Sequence, residues 1–95
     1  MCNKVWMTKI ERFIISQIKN ERYVLTVHAR RRMSERHITD YDLIEMAKNL
    51  RSIERQDEND TYLLSGKDTW GEKLFASVAV RDNVIIVTVF FEEDL

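Results

Sequence analysis

The chain of 95 residues lacks proline altogether and contains only two glycines and one cysteine, Cys2. A single cysteine cannot form a disulfide within the chain, and no cluster of ligand residues indicates a metal site. Without proline- or glycine-rich stretches, no segment resembles a linker between domains. We therefore predict one domain over residues 1–95, with a core from about residue 8 to residue 91, and no metal or other cofactor.

Long apolar runs and an excess of positive charge are also missing. The longest apolar run, Val84–Val87, is far shorter than a membrane-spanning segment, and the first residues do not resemble a signal peptide. We therefore expect a cytoplasmic protein that does not contact membranes. The net charge is −1 at pH 7, so the sequence lacks the broad basic surface of many nucleic-acid-binding proteins. Any recognition of phosphate must be local.

What the sequence does contain is a globular composition, with 44% hydrophobic and 33% charged residues. Its first half predicts three helices, since Thr8, Thr26 and Thr39 stand where N-terminal caps are expected. The first and last of these are followed three residues later by an acidic residue, which completes a capping box. The helices are predicted at residues 9–19, 27–36 and 40–49, with a short extended segment at residues 23–25.

From residue 52 onward the apolar residues follow the two-residue period of β-strands. Strands are predicted at residues 53–57, 62–67, 74–80 and 84–91. The last of these is apolar on both faces, which predicts a central or doubly covered strand. This order predicts an α+β fold, with three N-terminal helices packed on one face of a four-stranded antiparallel meander. The core is expected to contain Phe13, Ile14, Ala29, Met33, Leu43, Ile86 and Val87, with Trp6 on the same apolar stripe as Phe13.

The most informative segment is residues 26–37, which contains both histidines and four of the nine arginines. Residues four apart are neighbours on a helix surface, so His28, Arg32 and Arg36 form one slowly drifting stripe. Imidazole accepts a proton near neutral pH, and guanidinium groups bind phosphate oxygens in a two-pronged manner. The free N–H groups of the helix start favour an anion beside His28 and keep its ring neutral. The stripe is therefore suited to a phosphodiester.

An ordinary explanation competes with this one. A surface helix rich in arginine is most often a solvated face, in which Glu35 pairs with Arg31 or Arg32 and His37 complements the dipole at the helix end. Two features favour function instead. His28 lies in the first turn after its threonine cap, and the arginines are clustered on a chain that is otherwise acidic.

Three further residues are weaker candidates. Thr88, in the last strand, shares a face with Ile86 and would orient a phosphate if that face meets the arginine helix, although threonine is ordinary in strands. Arg31 adds a cation for substrate binding. Trp70 lies in a loop and could stack on a base, but a loop tryptophan more often folds back onto the core. The acidic tail at residues 92–94 is expected to be exposed.

The segment Thr26-x-His28-Ala-x-x-Arg32-Met33-x-Glu35-Arg36-x-Ile38-Thr39 resembles the signature of a small bacterial and phage family, domain of unknown function 4258. Its usual pattern is His-Ala-x-x-Arg-Met-x-Glu-Arg-Gly-Ile-Ser. Its last strand usually ends Ile-Val-Thr-Val-Tyr, and residues 86–90 here are Ile-Val-Thr-Val-Phe. His37 stands where glycine is usual. Phe90 replaces a common tyrosine, which removes a hydroxyl that could have served as an acid.

This family is similar to the RelE-like, barnase-like and colicin-type group of metal-independent RNases, which place a helix against a four-stranded antiparallel sheet. That resemblance implies a site composed of His28, Arg32, Arg36 and Thr88, as an analogy at the level of the fold. It also implies a genetic setting, because many such domains are encoded beside toxin–antitoxin or phage-defence genes.

The leading hypothesis is a small metal-independent endoribonuclease of toxin type. His28 would take the proton of a ribose 2′-OH, Arg32 and Arg36 would hold the phosphate, and Thr88 would orient it. An alternative is a non-catalytic interaction domain, such as an antitoxin, a phage-encoded inhibitor or a regulatory subunit, that binds an acidic partner through the same arginines. A DNA-binding regulator is a weaker alternative, because no second basic patch is visible. A cognate antitoxin and a homodimer formed at a sheet edge remain open as partners.

Overall fold

The computed structural model describes residues 7–94, so the expectations for Cys2 and Trp6 lie outside the described residues. These residues form three α-helices, five strands and a short 3-10 helix. In chain order they are α1 Lys9–Lys19, β1 Tyr23–Leu25, α2 Val27–Arg36, α3 Asp40–Lys48, β2 Leu50–Gln56, β3 Thr61–Lys67, β4 Lys73–Val80, β5 Val84–Phe91 and the 3-10 helix η1 Glu92–Asp94. None of the helices described is long and apolar enough to cross a membrane.

The three predicted helix caps are confirmed. Thr8 Oγ1 accepts from Glu11 N at 3.2 Å, and the Glu11 carboxylate accepts from Thr8 N at 3.0 Å. Thr39 and Asp42 form the same reciprocal pair at the start of α3. Each pair satisfies backbone N–H groups that a helix start leaves without an intrahelical acceptor.

The sheet differs from the prediction in two ways. It has five strands in the order β1-β5-β4-β3-β2, and β1 runs parallel to β5 while all other pairs are antiparallel. The four-stranded antiparallel meander was therefore wrong, because the three-residue segment at 23–25 joins the sheet beside the last strand. The arrangement of helices was also wrong in part, since η1 follows the sheet. The coarser prediction of a mixed fold of helices and sheet is confirmed.

The three α-helices contribute to one core on one face of the sheet. Its fully buried side chains include Ile14, Ile18, Leu43, Met46, Leu64, Leu74, Val78, Val84, Ile86 and Val89. Phe13 was expected there but is 41% exposed, because α1 presents Ile14, Ile15 and Ile18 to the core instead. Gly66 brings β3 against α3, and a Cβ at this position would collide with the backbone carbonyl of Met46.

A bulge in β5 changes which residues share a face. Ser77 pairs with Thr88 and Val78 with Ile86, so Val87 is the extra residue between them. Val87 is only half-buried, and its placement in the core was wrong. The bulge also separates Thr88 from Ile86. Since Ser77 alternates with the core residues Ala76 and Val78, its partner Thr88 lies on the face turned away from the helices.

Candidate functional site

Helix α2 is fixed at its start to strand β5. Thr26 Oγ1 accepts a hydrogen bond from Ala29 N at 3.0 Å and donates one to Val87 O at 2.7 Å. Thr26 N also donates to Ile86 O at 3.2 Å. Ala29 and Met33 are buried beneath the helix, as predicted. These contacts hold α2 on the core face of β5 and leave its other side open to the surroundings.

Three of the predicted site residues share one stripe of α2. His28 is the second residue of the helix, and its exposed ring makes no hydrogen bond within residues 7–94. Arg32 and Arg36 follow at successive intervals of about one helical turn. Arg31 is exposed on the same helix. Glu35, which the ordinary explanation pairs with arginine, forms no ion pair within the described part of the chain.

Arg32 differs from the other arginines of α2 because it is half-buried. Its Nε atom is buried and has no hydrogen-bond partner among residues 7–94. A buried donor without an acceptor costs about 1–3 kcal/mol. The middle of the stripe therefore contains an unsatisfied cationic donor.

Arg36 is paired with the C-terminal turn. Its Nη2 atom lies 2.6 Å from Asp94 Oδ1, and Asp94 Oδ2 accepts from Phe91 N at 2.9 Å. The bond from Phe91 N lowers the pKa of Asp94, and Arg36 and then Arg32 add to this effect against the influence of desolvation. The prediction of an exposed tail holds for Glu92 and Glu93. It was wrong for Asp94, whose side chain is 9% exposed.

A groove adjoins the C-terminal end of α2 and contains Trp70, the aromatic candidate of the sequence. Its lining residues are Arg36, His37, Asp42, Asp68, Trp70, Glu72 and Phe91. Trp70 is 84% exposed, so the expectation that it folds back onto the core was wrong. The cause is Asp68, which is buried and whose Oδ1 atom accepts from Trp70 N at 2.9 Å and from Glu72 N at 2.8 Å. These bonds fix a turn that carries the indole outward beside Arg36.

Asp42 supports this groove in a way that the sequence did not reveal. Besides capping α3, it accepts hydrogen bonds from Thr69 N at 3.0 Å and from the Thr69 hydroxyl. Burial raises the pKa of Asp42, but the hydrogen bonds from Thr69 and Thr39 outweigh it and lower the pKa below its ordinary value. The ionised carboxylate thus joins the start of α3 to the loop that carries Trp70. The capping box was its only sequence signal.

Tyr23 forms a second connection that sequence reasoning missed. Its hydroxyl donates a hydrogen bond to Asp40 Oδ1 at the start of α3. Burial, and then the neighbouring Asp40 carboxylate, raise the pKa of Tyr23 far above the ordinary value of a phenol. Tyr23 therefore stays protonated and joins β1 to α3.

Thr88 is not brought to the stripe, because it lies on the opposite face of the sheet. Its neighbours on that face are Ser77 and the stacked rings of Phe75 and Phe90, whose centroids are 5.1 Å apart. No three histidine, cysteine or acidic side chains within residues 7–94 are grouped so that they could hold a metal ion.

The fold is thus a small mixed α/β domain in which an arginine-rich helix packs on β5, the strand between β1 and β4 in a five-stranded sheet. The chain belongs to the family described as a domain of unknown function (DUF4258), whose model matches residues 25–91. The matched region runs from the last residue of β1 to the end of β5 and leaves α1 outside. No curated protein and no solved structure was found to match the chain.

Proposed function

We propose that the protein is a small metal-independent endoribonuclease of toxin type, and that α2 is its RNA-binding element. The observation that carries this proposal is the stripe of His28, Arg32 and Arg36, in which the buried Nε donor of Arg32 has no acceptor among the described residues. A phosphate oxygen is an acceptor of suitable charge. Because Nε is buried, Arg32 would turn its guanidinium outward to meet this acceptor. The analogy with RelE-like and colicin-type RNases supports the same reaction class.

The proposed reaction uses the 2′-OH of the RNA itself. His28 accepts the proton of this hydroxyl, and the oxygen attacks the adjacent phosphorus. The bond from phosphorus to the 5′-oxygen breaks, which leaves a 2′,3′-cyclic phosphate and a 5′-OH that takes its proton from water. Arg32 and Arg36 bind the non-bridging oxygens, where negative charge increases in the transition state.

Asp94 has a defined part in this proposal. Its carboxylate binds Arg36 where a phosphate oxygen of the RNA would bind. RNA must therefore displace Asp94 from Arg36, or share the guanidinium with it. In this proposal Trp70 and Arg31 contact nucleotides that neighbour the scissile phosphate. The proposed setting is the cytoplasm, with a cognate antitoxin or a phage-defence system as the genetic context.

A second candidate function is a non-catalytic domain that binds an acidic protein partner. The Arg36–Asp94 pair favours it, because it shows that the stripe can hold a carboxylate from a polypeptide. In addition, no hydrogen bond or ion pair joins His28 to a second proton-transfer group in the part of the chain that the structure describes. An antitoxin, an inhibitor of phage origin and a regulatory subunit all fit this reading.

Growth of bacterial cells after induction separates the two candidates. We expect the wild-type protein to arrest growth and His28→Ala to remove the arrest at equal expression. His37→Gly is the matched control, because it removes the other histidine without changing the stripe, and it should stay toxic. Arrest by wild type and His28→Ala alike would contradict the enzyme, and absence of arrest in all three would favour the binding domain.

A further inference from the structure

The sheet face turned away from the helices carries a second cluster of cations, far from α2 in sequence. Arg51, Lys67 and Lys73 together line a cavity of about 250 Å³. All three side chains are exposed. Within residues 7–94 none of the three forms an ion pair, whereas Arg36, Arg55 and Arg81 all do.

The pairing register places two of these cations opposite each other, which destabilises the protein when no ligand is bound. Lys67 and Lys73 are direct cross-strand partners in β3 and β4. Like charges directly opposite one another destabilise an antiparallel pair. Acidic residues are close, since Glu72, Glu92 and Glu93 share a neighbouring groove with Lys73, yet none of them neutralises the cluster by an ion pair. An uncompensated repulsion of this kind is expected where the positive charges bind a ligand.

Aromatic rings continue the surface beside the cations. Lys73 Nζ lies 5.3 Å from the centroid of the Phe75 ring, and that ring is stacked on Phe90 of β5. Both rings are half-buried, so each presents part of its apolar surface outward. The hydroxyl of Thr88 follows Phe90 on the same face. Along neighbouring strands this surface therefore carries the cations first, the apolar rings of Phe75 and Phe90 next to them, and the hydroxyl of Thr88 beyond the rings.

We propose that this sheet face binds single-stranded RNA, with phosphates at Arg51, Lys67 and Lys73 and bases against Phe75 and Phe90. Charge complementarity selects a polyanion, and the adjacent rings select a polyanion that carries flat apolar groups at intervals. Cations combined with aromatic rings on an open sheet are a common solution for single strands, because every base has a face that can pack on a ring. This inference does not depend on catalysis at α2.

The test is fluorescence anisotropy with a labelled 2′-O-methyl oligouridine of about ten nucleotides, a length that one such domain can cover. This probe cannot be cleaved by 2′-OH attack, so binding is measured whether or not α2 is catalytic. We expect Lys67→Gln combined with Lys73→Gln to weaken binding at least tenfold at low salt. The slope of log affinity against log salt should become shallower by about 1.4, since each phosphate contact on a single strand contributes roughly 0.7.

Three comparisons make the result decisive. Lys9→Gln with Lys48→Gln removes two exposed lysines elsewhere and should leave affinity and slope almost unchanged. Phe90→Leu keeps an apolar side chain without a ring and should weaken binding about fivefold or more, as expected for loss of base stacking. The Lys67/Lys73 variant should melt at no lower temperature than wild type, because a repulsion is removed.

Two outcomes would overturn the proposal. One is binding that is unchanged in the Lys67/Lys73 variant but lost in Arg32→Gln with Arg36→Gln, which would assign all RNA contact to α2. The other is binding of a labelled polyglutamate peptide, but not of the oligouridine, that depends on Lys67 and Lys73. That result would identify an acidic protein as the ligand of this face.

Discussion

At the level of single residues, His37 adopts a backbone conformation that ordinarily belongs to glycine. It ends α2 with φ of 58° and ψ of 38° in the left-handed region. Its N–H donates to Ser34 O, and the N–H of Ile38 donates to Met33 O, so the turn is well bonded despite the strain. Glycine, which the expected pattern has at this position, would adopt this conformation without strain.

Replacing His37 by glycine should therefore stabilise the protein. A residue with a Cβ atom in the left-handed region costs about 1–2 kcal/mol, and glycine removes this strain. Part of the gain in stability is offset, because glycine has more conformational freedom in the unfolded chain. We expect His37→Gly to raise the free energy of unfolding by about 0.5–1 kcal/mol in denaturant melts. Asn49→Gly is the matched control, because Asn49 ends α3 at a negative φ and should lose stability. Equal effects at both positions would contradict the strain.

The lowered pKa of Asp42 should make the stability of the protein depend on pH in the acidic range. Its pKa is lower in the folded protein than the value of about 3.9 expected in an unfolded chain. Its ionised form therefore contributes stability above about pH 4, and this contribution is lost as the pH falls through the lower folded pKa. We expect Asp42→Asn to be less stable at pH 7 and to depend less on pH between about 5 and 2. Asp82→Asn, an exposed control, should follow wild type, and a wild-type pH profile for Asp42→Asn would exclude this role.

At the level of elements, the helix boundaries were predictable because their signals are local. Thr8, Thr26 and Thr39 lie within three residues of the groups that they cap, so their pattern is visible in the sequence. The sheet was harder because β1 has only three residues and its partner β5 lies about 60 positions away. The bulge at Val87 has no signal in the alternation, and it moves Thr88 to the other face of the sheet.

The two faces of β5 can be tested with a pair of isoleucines. Ile86 is fully buried on the core face, so Ile86→Ala should cost about 2–5 kcal/mol of unfolding free energy, as for other large-to-small core changes. Ile85 is half-buried on the opposite face, and Ile85→Ala should cost clearly less. Denaturant melts of both variants measure this difference. A larger loss for Ile85 would show that the strand is assigned to the wrong face.

The contact between η1 and α2 joins residues 58 positions apart, and no short-range pattern could predict it. If Asp94 competes with phosphate for Arg36, Asp94→Asn should increase the affinity for RNA severalfold at low salt. Glu93→Gln is the matched control, since it removes the same charge from an exposed neighbour and should have a smaller effect. Equal increases would indicate a general effect of net charge rather than competition at Arg36.

At the level of the whole molecule, a chain with net charge −1 has one group of cations in the stripe on α2 and another in the cluster on the open sheet face. The stripe was visible in the sequence because its residues lie on consecutive turns of one helix. The second was not, because Arg51, Lys67 and Lys73 come from three different strands and only the register brings them together. Trp70 was misjudged for a similar reason, since the hydrogen bonds of Asp68 direct it outward.

The central claim, catalysis by His28 with phosphate binding by Arg32, is tested most directly by incubating purified protein with total RNA in excess chelator. Wild type should produce fragments that end in a cyclic phosphate, and His28→Ala should produce none. Arg32→Lys should be severely impaired, because an ammonium keeps the charge but loses the planar two-pronged contact with phosphate. Cleavage that persists unchanged in His28→Ala would contradict the proposed mechanism.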